Sequence, residues 1–199
     1  MQKYVWAVII ISALFCGACH QKEEKETTTP QPISEELVSF FPVTEYFLGQ
    51  LNELDTMPVT PLQIIFHDDK SDSIWLKRKD IRNLAKPFLT PVIDSVTLSK
   101  FFAGKSFLDQ TVNAFTFSYD PKGQLPDSIK LKHWDVYVDP QKNNVSRVYM
   151  VEEDKLNGVP LTTQLTWESG KWFSVRTIEY PPGKEPVVKE QILKWSFDD

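Results

Sequence analysis

The chain has 199 residues, enough for one domain with a sizeable core, and 41% of them are hydrophobic. Its net charge of −5 argues against a nucleic-acid partner, because phosphate binding needs a basic surface. Cys16 and Cys19 are its only cysteines, too few for a disulfide framework.

The N-terminal run "MQKYVWAVIIISALF" carries one charge, Lys3, and then about a dozen mostly apolar residues. That length fits a signal-peptide core and falls short of the roughly 20 residues of a membrane-spanning helix. "CGACH" follows at once. It matches the C-x-x-C-H of haem attachment, but that use needs both cysteines to survive cleavage, and the motif abuts the apolar run with no room for a separate cut. A second axial ligand would have to come from His67, His133, Met57 or Met150, and nothing singles one out. A redox or zinc C-x-x-C meets the same obstacle. A cut before Cys16 would leave bulky Phe15 at the cleavage position, whereas a cut before Cys19 follows the small pair Gly17-Ala18.

On these residues the N-terminus resembles a bacterial lipoprotein precursor, with Cys16 standing where that family usually carries an aliphatic residue. The resemblance implies that residues 1–18 are a signal peptide and that Cys19 receives lipid and becomes the first residue of a 181-residue mature chain with a net charge of −6. No thiol would then remain for catalysis or metal binding. Residues 19–32, "CHQKEEKETTTPQP", have the composition of a solvated tether. Lys22-Glu23-Glu24 resembles the acidic export signal behind the lipidated cysteine of Bacteroidota surface lipoproteins, which implies outer-membrane anchorage facing the cell surface. Asp55-Thr56-Met57, Asp72-Ser73-Ile74, Asp94-Ser95-Val96 and Asp127-Ser128-Ile129 resemble the O-glycosylation sites of the same group, although Asp-Ser and Asp-Thr also begin helices and turns.

The expected globular domain is residues 33–199. Ser34 with Glu35 and Glu36 reads as a helix start, and Val43, Phe47, Leu51 and Leu54 recur at helical spacing until "DTMP". "PLQIIFHDD" is a short strand candidate, "DDKSDS" reads as a loop, and a second helix carries Ile81, Leu84, Ala85 and Phe88 on one stripe, with Pro87 disturbing its last turn. Six strands follow near residues 111–119, 130–139, 145–152, 160–168, 171–180 and 187–197, separated by turn signals. The predicted fold is α+β, with N-terminal helices on one face of a curved, mostly antiparallel six-stranded meander. Its order of elements resembles cystatin-like cone folds and lipoprotein-carrier half-barrels, an architectural likeness that transfers no function.

Period-2 alternation assigns Phe115, Phe117 and Tyr119, and Trp134, Val136 and Val138, to the core. In the hairpin "LTTQLTWESGKWFSV" a Glu168-Ser169-Gly170 loop pairs Leu165 with Phe173 and Thr163 with Val175, sending Trp172 and Arg176 to the opposite face. His133, Asp135 and Tyr137 project from that same open side. Together His133, Asp135, Tyr137, Trp172 and Arg176 are the candidate ligand site: an aromatic platform beside hydrogen-bonding groups suits a sugar or another polar ligand.

"HDDKSDS" fails the calcium-loop pattern, because Lys70 occupies its third position. Lys77, Arg78, Lys79, Arg82 and Lys86 read as a polar helix face. No phosphate-binding glycine loop, dinucleotide fingerprint, G-x-S-x-G or H-E-x-x-H occurs. The expectation is therefore a non-catalytic lipoprotein without metal or cofactor, attached to a membrane by its N-terminal lipid and binding a glycan, a small ligand or an envelope protein. A carrier of an apolar ligand between helices and sheet, and a cone-fold enzyme using a His/Asp/Tyr group, are the alternatives.

Overall fold

The computed structural model of the chain describes residues 40–67 and 70–197. The expected signal peptide, tether and Ser34 helix start lie outside the described residues. Helix α1, Val43–Thr56, follows the anticipated stripe: Val43, Phe47, Leu51 and Leu54 are buried. Met57, extended ahead of Pro58, stops it. Strands β1, Leu62–His67, and β2, Lys70–Trp75, form a hairpin. Helix α2, Arg78–Leu84, passes into a tight 3-10 turn at Lys86–Leu89 where Pro87 cannot donate to an α-helical ladder. Ile81, Ala85 and Phe88 are buried.

Seven strands complete the chain: β3, Phe102–Asp109; β4, Ala114–Pro121; β5, Leu131–Asp139; β6, Asn144–Leu156; β7, Val159–Glu168; β8, Trp172–Glu179; and β9, Val187–Lys194. All pairings are antiparallel, in one nine-stranded sheet of order β2-β1-β9-β8-β7-β6-β5-β4-β3. The fold is α+β.

The sheet is larger than the expected six strands, for two physical reasons. Lys70–Trp75 is an edge strand with all six residues exposed, so it carries no buried alternation and reads as a loop. Phe102–Asp109 forms the opposite edge, where Ala103, Gly104 and Lys105 are exposed and the period is equally faint. The β1–β2 hairpin pairs with β9, so the first and last strands are neighbours, and the segment carrying α2 runs from one edge of the sheet to the other.

The β7–β8 hairpin also differs from expectation. Leu165 lies opposite Val175, and Trp167 opposite Phe173, because the loop is Ser169-Gly170-Lys171. Lys171 N–H donates to the Glu168 carbonyl at 3.1 Å, and Gly170 takes the left-handed conformation at φ 72° that favours glycine. The partner of Leu165 moves by two positions, which preserves both faces.

One face of the sheet meets the helices. Phe47 from α1 and Phe88 from the 3-10 turn both pack on Trp167, at 5.1 and 5.3 Å between ring centroids, and Trp167 stacks on Phe173 at 5.0 Å. A second aromatic group joins Phe40, Phe102, Tyr119 and Trp134, with Tyr119 and Trp134 stacked at 4.7 Å. Polar ties fasten the helical layer: Tyr119 Oη accepts the Phe41 N–H at 3.0 Å, Thr44 Oγ1 accepts the Ile93 N–H at 2.8 Å, and Tyr46 bonds to Ser169.

Candidate functional site on the open face

Two bulges decide what the other face of the sheet presents. In β5 the register shifts between Leu131 and His133, so Leu131 and Trp134 are both buried while His133 turns outward. In β6 the ladder passes from Tyr137↔Arg147 to Val138↔Val145, leaving Ser146 as the extra residue. Its hydroxyl donates to the Tyr137 carbonyl at 3.2 Å, and its carbonyl accepts the Ser169 N–H at 2.9 Å.

His133, Asp135 and Tyr137 come together as expected. His133 Nε2 lies 2.9 Å from Asp135 Oδ2, and Tyr137 Oη donates to the same oxygen at 3.2 Å. On its other side His133 Nδ1 lies 2.8 Å from Asp120 Oδ1, and Lys105 Nζ lies 2.8 Å from Asp120 Oδ2. The network thus spans β3, β4 and β5. With a carboxylate at each ring nitrogen, the imidazolium is the favoured form, and the Asp135 bond, ahead of the Asp120 bond, raises the His133 pKa against the opposing effect of burial. Lys105 first, and His133 after it, hold Asp120 low. Burial works to raise Asp135, but bonds from His133, Ser118 and Tyr137 together bring it below the usual carboxylate value. Burial, reinforced by the Asp135 charge, pushes Tyr137 up to about 12.

Trp172 and Arg176 are on the same face but three strands away, on β8. Strand spacings of about 4.8 Å put them roughly 14 Å from β5. The register assigns them to different cross-strand rows. Arg176 shares a row with Gln164, Val151 and His133, whereas Trp172 shares one with Glu168, Arg147 and Tyr137. Tyr149 stands between the groups, on the row of Asp135 and Thr166, and its pKa is raised by burial and by Asp135 against the pull of Arg176. The five residues therefore share a face without forming one compact cluster.

Arg147, Glu168, Asp120, Lys105 and Tyr149 join the face without having stood out in the sequence. Arg147 Nε donates to Glu168 Oε2 at 2.8 Å, and the guanidinium sits 6.0 Å from the Tyr137 ring centroid. Tyr137, Arg147 and Glu168 border a cavity of about 320 Å³ at the Ser146 bulge, also lined by Asn113, Asp139 and Gln141.

No protein-family model matches the chain. A protein of Caldicellulosiruptor bescii named "Nucleotide-binding protein" is similar to it, 27% identical over 131 residues, covering 64% of this chain. The match covers 44% of that protein's length.

Among the described residues no helix is long and apolar enough to cross a membrane. Thr56, Ser73, Ser95 and Ser128, the hydroxyl residues of the four Asp-Ser/Thr motifs, are all exposed.

Proposed function

We propose that this protein is a non-catalytic binding module, lipid-anchored at Cys19 in a bacterial outer membrane and facing the cell surface, that takes a polar ligand on the open face of its sheet. The observation that carries the reading is the occupation of both His133 nitrogens by Asp120 and Asp135. An imidazolium braced between two carboxylates has no lone pair to take a proton from a substrate, so it serves as a strut for a polar surface rather than as a base. The aromatic rings that interlock between helices and sheet favour this reading over an apolar-ligand carrier, which needs a cavity there. The name of the C. bescii protein raises a nucleotide as the ligand. The open face is charge-balanced, with Asp120, Asp135, Asp139, Glu168 and Glu190 set against Lys105, His133, Arg147, Arg176 and Lys194, so it offers a phosphate no cationic patch.

The test exposes the full chain, in mild detergent, to neutral oligosaccharides, ATP and peptides from envelope proteins, and follows melting temperature and product formation together. At least one class should raise the melting temperature, the rise should vanish in Tyr149→Ala, and no product should form. Turnover of any of these compounds that disappears in His133→Ala would overturn the proposal.

A further inference from the structure

The row that crosses the open face at the Ser146 bulge has an arrangement of its own. Tyr137 on β5, Arg147 on β6, Glu168 on β7 and Trp172 on β8 are successive cross-strand neighbours. Two half-buried aromatic residues therefore bracket an ion pair, with the aromatic positions roughly 14 Å apart by strand spacing. The pair is only half used. Arg147 spends Nε and Glu168 spends Oε2 on each other, while the terminal guanidinium nitrogens and Oε1 make no other hydrogen bond among the described residues. A donor and an acceptor held side by side match two neighbouring hydroxyl groups, one accepting and one donating. The adjoining cavity of about 320 Å³ adds amide groups from Asn113 and Gln141, and its volume lies at the lower end of the range for small-ligand sites.

Charge narrows the ligand further. Asp139 and Glu168 outnumber Arg147 in the cavity wall, which opposes phosphate, sulfate or a uronic acid. The Asp139 carboxylate already accepts the N–H groups of Gln141 and Lys142, so it shapes the β5–β6 turn more than it offers a cation ligand. Aromatic side chains spaced along a row of fixed hydrogen-bonding groups suit the alternating C–H faces and hydroxyl edges of pyranose rings.

We infer that the Tyr137–Arg147–Glu168–Trp172 row and its cavity form a subsite for a neutral oligosaccharide, lying across the strands with sugar rings on Tyr137 and Trp172 and a vicinal hydroxyl pair on Arg147 and Glu168. This rests on the open-face reading above and relocates the contact from the His133 row to the Tyr137 row, two rows beyond it across the Asp135–Tyr149 row. The Asp120–His133–Asp135 network then supports the Tyr137 side of the subsite through the Tyr137–Asp135 bond.

Affinity electrophoresis of the full chain in mild detergent tests the inference, using gels that contain galactomannan, xyloglucan, soluble starch or, as the anionic control, polygalacturonate. At least one neutral polymer should retard the protein, and polygalacturonate should not. Trp172→Ala and Glu168→Gln should each weaken that retardation at least tenfold with unchanged circular dichroism, and Lys79→Ala, at an exposed position of α2, should leave it intact. Arg147→Met gives a third probe of the row if Trp172→Ala fails to fold. Absence of retardation by every neutral polymer, equal retardation by polygalacturonate, or wild-type behaviour of the row variants would overturn the inference. If ATP or a peptide instead raises the melting temperature and loses that effect in Tyr149→Ala, the open face still binds a ligand and only the oligosaccharide assignment fails.

Discussion

The His133 strut has a pH signature whose sign follows from its partners. Its folded-state pKa is raised above the unfolded value of 6.5. Its contribution is therefore complete below that value and is lost as pH rises through the raised one. Asp120 and Asp135 are both held low, so their share is present above the ordinary carboxylate range and is lost only in stronger acid. His133→Gln should cost about 1 kcal/mol between roughly pH 4.5 and 6.5, allowing for solvent screening, with the gap from wild type closing as pH rises through the raised His133 pKa. Denaturant titrations across that range check it, and a gap that widens with pH would refute the strut. Glu152 behaves differently. It lies on the helix side of β6, paired with Leu131 and Thr163, where burial and then the Asp154 charge push it up to about 7. The fold thus retains a proton that the unfolded chain has released, and stability falls as pH rises toward that value. Glu152→Gln should be near neutral at about pH 5 and should stabilise by on the order of 1 kcal/mol above about pH 7, readable as a higher melting temperature. His133, Asp135 and Tyr137 were legible as a group because a period of two needs only one strand. Asp120, Lys105 and Arg147 were not, since their positions depend on strand pairing and on bulges at Lys132 and Ser146 that no local pattern announces.

At the scale of elements, the aromatic contacts joining α1, the 3-10 turn and the centre of the sheet carry the packing. Phe47 has no exposed surface and meets Phe88 at 5.2 Å and Trp167 at 5.1 Å. Phe47→Ala should cost about 3–5 kcal/mol, the range for emptying a fully buried aromatic site. A loss below about 1 kcal/mol on denaturant unfolding would mean that the layer collapses around the gap. The stripe Val43, Phe47, Leu51 and Leu54 was readable in the sequence because one helix face is buried while Glu45, Leu48 and Glu53 stay exposed. The central strands were readable for the equivalent reason: Trp134, Val136, Val148, Met150, Leu165 and Trp167 alternate with half-buried or exposed residues. Edge strands lose that contrast, and β2 shows why. Both of its faces are exposed, and Asp72 Oδ1 accepts the Ser73 N–H at 2.8 Å, so a side chain occupies main-chain hydrogen-bonding capacity. Such a segment has the polarity and local bonding of a loop while its other edge pairs with β1.

At the scale of the whole molecule, the binding reading depends on where the protein is held. A single acyl chain gives only marginal membrane binding, whereas two acylation signals anchor stably, so a lipidated Cys19 would need more than one chain to keep the domain at the membrane. A tether at residues 19–32, the expectation from their charged, Thr- and Pro-containing composition, would let the open face reach ligands away from the bilayer. Replacing Cys19 with Ala should shift the protein from the membrane fraction to the soluble fraction or arrest it as the uncleaved 199-residue precursor. Mass spectrometry of the wild-type mature chain should find its N-terminus at Cys19 with an acyl-containing mass. Placement is separable from anchorage. If Lys22-Glu23-Glu24 directs export, protease added to intact cells should remove the wild-type protein, and substituting all three residues with Ala should protect it while leaving it membrane-bound. Equal protease sensitivity of the two forms would leave these residues as tether alone, and an unmodified Cys19 in the mature chain would remove the anchor itself.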